Sequence, residues 1–217
     1  MIEDLVPKAI VIAILLLAAF PVHEFAHALV AFRLGDATAK LYGRLTLNPI
    51  AHFDPIGGLI LAASVLLGGF AIGWAKPTPV NTLNLRGGRN GDALVAAAGP
   101  ISNLILAIAA ALPLRYLLDH PELALSVELL TQVLWYFVLF NILLMIFNLI
   151  PIPPLDGSGV LFALVSPRTA WKLRPILQQY GMLVILVVFL FPIGGQTIGG
   201  RIISPISDAI FSVLVGV

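Results

Sequence analysis

The chain has 217 residues, 59% of them hydrophobic and 11% charged, where a soluble domain carries roughly 25% charged. So few charges among so many apolar residues exclude an ordinary soluble enzyme and a disordered chain, and a net charge of +1, from 12 Lys and Arg against 11 Asp and Glu, excludes a charge-driven nucleic-acid partner. Cysteine is absent, so there is no disulfide framework and no thiolate, and any metal must be held by His, Asp or Glu. The class that remains is an all-α polytopic membrane protein, read as one membrane-embedded domain over 1–217 with the lipid bilayer as its solvent.

About 20 apolar residues cross the hydrocarbon core as a helix. Pro7–Phe32 is the first such stretch. It follows Glu3 and Asp4 rather than a basic segment, and its later turns carry His and Glu. It therefore reads as a retained span and not a signal peptide. Lys40–Leu47 and Thr78–Leu85 alternate like strands, with plain loops as the competing reading, above all for the second. Between them, Pro55–Trp74 is long enough to cross but dense in glycine, with Gly57, Gly58, Gly68, Gly69 and Gly73. Ala93–Leu118, Val127–Ile150 and Leu173–Phe191 are further spans. Ile202–Val217 is short and contains Pro205, and reads as an interfacial or partly inserted helix. The expected architecture is about four to six transmembrane helices with a small re-entrant or β segment after the first.

Basic residues set the orientation. Arg33, Lys40 and Arg44 lie in 33–55; Lys76, Arg86 and Arg89 in 75–91; Arg168, Lys172 and Arg174 in 151–175. The opposite ends carry only Lys8, Arg115 and Arg201. All three basic loops are expected on the cytoplasmic side. Pro55–Trp74 then leaves and returns on one side, and its prolines and glycines fit broken backbone held by protein.

His23-Glu24-Phe25-Ala26-His27 is an H-E-x-x-H motif. On a helix, residues four apart lie about 40° from each other, so both imidazoles reach one ion. Glu24 can take a proton from a water at that ion. Ionisable groups inside an apolar helix are expensive without partners, so a shared ion is a better reading than a satisfied polar patch.

Catalytic zinc usually has three protein ligands and an open position. Asp119, His120, Glu122 and Glu128 fall at the opposite membrane side, while His52 and Asp54 lie in a loop on the same side. Asp156 follows Pro151, Pro153 and Pro154, which end a helix, and precedes Gly157, which permits close approach. An Asp-Gly turn at a surface is the competing reading. Topology favours Asp156: if Pro55–Trp74 is re-entrant, His27 and Asp156 meet on one side.

These residues resemble the site-2 protease family of intramembrane zinc metalloproteases, in its compact branch without PDZ or CBS domains. The resemblance rests on HEFAH (23–27) and NLIPIPPLDG (148–157), and extends to GRLTLNPIAHFDPIG (43–57), GWAKPTPVN (73–81) and AGPISN (98–103). It implies one Zn2+ per chain held by His23, His27 and Asp156, with Glu24 as general base and proton donor. It implies that Asn148 hydrogen-bonds substrate or the tetrahedral intermediate, and that a membrane β segment lies within 40–85. The implied activity is regulated intramembrane proteolysis of transmembrane protein substrates, in a multi-pass cell-membrane protein whose active site faces the cytoplasm. A membrane metal-ion carrier or sensor using the same cluster is the alternative. His52 reads as a contact to backbone or phosphate headgroups, Asn103 and Gly99 as packing residues, and Trp74, Trp135 and Trp171 as including interface anchors.

Overall fold

The computed structural model describes residues 5–67 and 72–216. The first span is α1 (Leu5–Ile14), a π-helical turn (Leu15–Ala19) and α2 (Phe20–Arg33) in one continuous rod. Its wide turn has a cause in sequence. Pro21 has no N–H to return to the preceding turn, and the ladder loosens there, with Phe20 N–H bonding to Leu15 O. The turn ends just before the H-E-x-x-H residues.

Short helices α3 (Thr38–Leu41) and α4 (Pro49–His52) lead to α5 (Pro55–Leu66). Asp54 caps α5 by accepting a 2.8 Å hydrogen bond from Gly57 N–H. At 1.5 Å per residue its 12 residues extend about 18 Å, too short for a core about 30 Å thick. The chain then comes back. Ile72 N–H donates to Ser64 Oγ at 3.0 Å and Lys76 N–H to His52 O at 2.8 Å. The described residues thus run out along α5 and back beside it, as a re-entrant path requires; Gly68 and Gly69 lie outside them.

The two strand-like segments form no ladder among the described residues. Thr38 N–H and Oγ1–H both donate to Asp36 Oδ1, which seeds the α3 turn instead. Residues 72–81 form neither helix nor strand, and Pro77 and Pro79 lack the N–H a ladder needs. Asn81 then caps a 3-10 turn (Thr82–Asn84). The described strands are β1 (Pro192–Ile193) and β2 (Gln196–Thr197), an antiparallel pair near the C-terminus.

The remaining helices are α6 (Arg89–Leu118), α7 (Pro121–Ser126), α8 (Glu128–Asn148), α9 (Gly157–Leu164), α10 (Pro167–Leu190) and α11 (Ile198–Val215). Five helical rods are long and apolar enough to cross a membrane: Val6–Arg33, Arg89–Leu118, Glu128–Asn148, Pro167–Leu190 and Ile198–Val215. The last is longer than the Ile202–Val217 piece read from the sequence and reaches the length of a span. Thr197 caps it by accepting from Gly200 N–H, its first residue Ile198 lies four before Ile202, and Pro205 is absorbed inside it.

Lipid tails are as apolar as leucine, so these helices associate through packing and polar contacts rather than hydrophobic drive. Ala107, Ala110 and Ala111 of α6 let α8 approach, and Leu114, Val138, Ile142, Phe211 and Val215 fill the seam of α6, α8 and α11. Trp135 joins it, its ring 4.6 Å from that of Phe211, while Trp171 is exposed on α10. A second cluster packs α1 against α5 through Val11, Leu15, Leu61 and Val65.

The three basic loops meet at one end of the bundle. Arg86 N–H bonds Leu34 O at 2.8 Å, and Arg89 donates to Phe162 O and, at 2.6 Å, to Val165 O.

Candidate metal centre

α2 and the loop after α8 bring His23, His27 and Asp156 together. His23 Nε2 lies 3.1 Å from Asp156 Oδ2, His27 Nε2 lies 3.3 Å from it, and the two Nε2 atoms are 3.1 Å apart. Both histidines are buried. Two ligands at 2.0–2.1 Å on a tetrahedral zinc are separated by about 3.3 Å. The triangle therefore matches one face of such a site.

The ring tautomers follow from carbonyl groups, which can only accept. His27 Nδ1–H donates to Val95 O at 2.7 Å, which leaves the Nε2 lone pair for a ligand bond. His23 is fixed at the end of a relay. Asn141 Nδ2 must be the atom facing Phe137 O, at 2.8 Å. Its Oδ1 then accepts from Asn103 Nδ2 at 2.9 Å, and Asn103 Oδ1 accepts from His23 Nδ1–H at 2.6 Å. The His23 Nε2 lone pair also faces the triangle. Metal-bound histidines are commonly oriented by such a second hydrogen bond.

Asp156 stands at the N-terminus of α9, but its side chain makes no capping bond there. Its Oδ2 is buried and accepts no hydrogen bond. Two imidazole lone pairs and an unpaired carboxylate oxygen facing one another are costly unless a cation lies between them. The donor set fits zinc, and His23, His27 and Asp156 are the residues that could hold it.

Two glycines make the approach possible. A Cβ on Gly99 would fall 2.4 Å from His27 Nε2 and 2.5 Å from His23 Nε2, so α6 passes directly beside the coordinating atoms. A Cβ on Gly157 would fall 2.2 Å from Leu149 O, so the loop that carries Asp156 can fold tightly back on the end of α8.

The other expected residues lie as follows. Glu24 Oε2 accepts from Thr78 N–H at 2.7 Å. Asn148 Nδ2 donates to Leu144 O at 3.0 Å, one turn back on its own helix. His52 is buried, with Nε2 2.8 Å from Thr46 O, which is the backbone contact expected of it. Asn103 and Gly99 are more than packing residues, since both touch the histidines. The GPISN segment around them was visible in the sequence, but its partner His23 lies 80 residues away. A cavity of about 260 Å³ opens beside Asp156, lined by Asp92, Ser158, Arg174 and Gln178 among others.

Residues 120–192 match the family model of peptidase family M50. The chain is 41% identical over 189 residues to "Putative zinc metalloprotease YwhC" of Bacillus subtilis strain 168, covering 86% of this chain and 83% of that protein. It is 32% identical over 176 residues to "Putative zinc metalloprotease Rip2" of Mycolicibacterium smegmatis. It is 35% identical over 175 residues to the protein of the same name in Mycobacterium tuberculosis strain H37Rv. Each Rip2 match covers 78% of this chain and 62% of the relative. No solved structure matches the chain. Identity of that extent over most of both its own length and that of YwhC means that the chain belongs to peptidase family M50, the site-2 proteases.

Proposed function

We propose that this zinc metalloprotease is an intramembrane endopeptidase that cuts other membrane proteins in or near a transmembrane segment, in regulated intramembrane proteolysis. The observation that carries the reading is the His23, His27 and Asp156 triangle, formed from one membrane-spanning helix and the loop at the end of another.

Zinc, when bound, supplies the Lewis acidity that acidifies water and polarises a peptide carbonyl. The chain supplies the rest. Val95 O and Asn103 hold the two imidazoles with Nε2 toward the ion. Glu24 follows His23 directly, and Thr78 occupies only its Oε2. Its Oε1 is the atom that takes the proton of the attacking water and returns it to the leaving amine nitrogen. An amide nitrogen carries two protons, so Asn148 can keep its bond to Leu144 O and offer the second N–H to the substrate oxyanion. The cavity beside Asp156 supports a water supply.

A helical peptide bond is shielded by its own ladder and must be unwound before attack. The 72–81 segment passes beside Glu24 and would line the path of the unwound chain. Basic loops gathered at the same end support a site facing the cytoplasm. Membership of a peptidase family favours hydrolysis over the metal-carrier alternative.

The test is Glu24→Gln in cells that co-express epitope-tagged single-span membrane proteins. Uncut substrate accumulates with the variant and disappears with the parent at equal expression. Equal cleavage by both would remove Glu24 as the base and the mechanism with it.

A further inference from the structure

The segment 72–81 is pinned at several points, and one of them is the carboxylate of Glu24. Lys76 N–H bonds His52 O at 2.8 Å, and the buried Arg44 donates from Nη1 to Lys76 O at 3.3 Å. Further along, Asn81 N–H donates to Asp36 Oδ2 at 2.7 Å and Asn84 Nδ2 to Asp36 Oδ1 at 3.0 Å. Between these anchors, Thr78 makes two bonds to one residue. Its N–H donates to Glu24 Oε2 at 2.7 Å, and its Oγ1–H donates to Glu24 O at 2.9 Å.

From these contacts we propose that Thr78 is a positioning residue for Glu24. The inference rests on Glu24 being the general base. A glutamate on a helix has several rotamers, and a catalytic proton transfer needs one of them. The Thr78 amide selects the rotamer from one oxygen and leaves the other free. The hydroxyl fixes the distance between the strap and the backbone of α2.

The sequence around Thr78 suits this task. Pro77 and Pro79 flank it, and a residue before proline is held extended. Neither proline has an N–H. The strap therefore presents a single stiff amide at this point, with no neighbouring donor to compete for the carboxylate. The His52 contact to Thr46 O and the Asp36 contacts hold the surrounding loops that carry the anchors.

The two prolines also make the contact measurable. A peptide covering 77–79 contains one exchangeable backbone amide, that of Thr78. Hydrogen exchange of the zinc-loaded full chain in detergent is compared with that of Glu24→Ala and Glu24→Gln. The Thr78 amide exchanges about tenfold or more slowly in the parent than in Glu24→Ala, as expected when a charge-assisted bond is lost. An intermediate rate is expected in Glu24→Gln, which keeps an acceptor oxygen. Equal rates in all three overturn the proposal.

Turnover of quenched-fluorescent casein supplies the catalytic arm. Thr78→Ser keeps both donors and retains kcat. Thr78→Pro loses both, and kcat falls by about 10–100-fold, the size of effect that a misplaced group produces, while KM and zinc content stay unchanged. A merely structural role would move zinc content and thermal stability instead, and that result also overturns the proposal. Full turnover by Glu24→Gln is a different failure: it removes Glu24 as the base, whatever the exchange data show about Thr78.

Discussion

Gly99→Ala adds one methyl group to a helix at a site where the structure has no room. Alanine is a better helix former than glycine, so by local propensity the change should stabilise α6 by roughly 1 kcal/mol. The metal centre predicts the opposite. The new Cβ would lie 2.4 Å from His27 Nε2 and 2.5 Å from His23 Nε2 and Cε1, about 1 Å inside the normal contact distance of roughly 3.5 Å. Either α6 moves away from α2, or both rings rotate. Rotation breaks the bonds to Val95 O and Asn103, and each such outer partner is typically responsible for about 10–100-fold in metal affinity. With both rings displaced, zinc affinity should fall by about 100-fold or more. The assay is competition against a graded series of chelators in detergent, read by metal analysis, with helix content checked by circular dichroism. A folded Gly99→Ala protein that binds zinc like the parent would show that the ion lies elsewhere and that the His/His/Asp triangle is not its cradle.

Asp156→Ala removes the carboxylate from the triangle, and zinc content should drop well below one per chain while the helical bundle persists; full retention would make Asp156 a bystander. Asp36, which lies outside the membrane-spanning helices, gives a pH test. Burial would raise its carboxyl pKa, but hydrogen bonds from Thr38, Asn84 and Asn81 outweigh burial and hold it below the ordinary aspartate value. A carboxyl depressed in the folded state adds stability above its unfolded pKa and loses it as pH falls through the folded value. The thermal stability gap between the parent and Asp36→Ala should therefore be full near neutral pH and shrink as the medium is made more acid than the usual aspartate range. A gap independent of pH would mean that the ionised form is not what holds the 81–84 turn.

The parts of the site that were legible in the sequence are those set by short spacing or by topology. His23 and His27 share a face because they are four apart. Asp156 could be paired with them because the basic loops demanded a re-entrant Pro55–Trp74, and α5 is indeed too short to cross. The contacts of Asn103 with His23 and Thr78 with Glu24 were not legible, because they span 80 and 54 residues and leave no local pattern. The strand reading failed for a local reason. Alternation in Thr78–Leu85 was real, but Pro77, Pro79 and the caps on Asp36 and Asn81 divert the hydrogen bonds that a ladder would use. The start of the C-terminal helix is not legible because Gly199, Gly200 and Arg201 dilute the apolar pattern in its first turn.

The relay from Phe137 O to His23 makes a claim that no single substitution can test. Its polarity is imposed at the far end, since only a donor can face Phe137 O, and each amide passes the choice along. Asn141 does not touch the histidine, yet it should influence metal binding by keeping Asn103 Oδ1 turned toward Nδ1–H. Asn103→Leu should lower zinc affinity by about 10–100-fold, as loss of a direct orienting partner does. Asn141→Leu should lower it less, because Asn103 is still present but free to flip. The decisive quantity is the double variant. If Asn141 acts only through Asn103, the pair should bind zinc no worse than Asn103→Leu alone, and the shortfall from additivity should equal the whole Asn141 effect. Simple addition of the two losses would mean that Asn141 supports the α6–α8 seam by packing and plays no part in setting the tautomer.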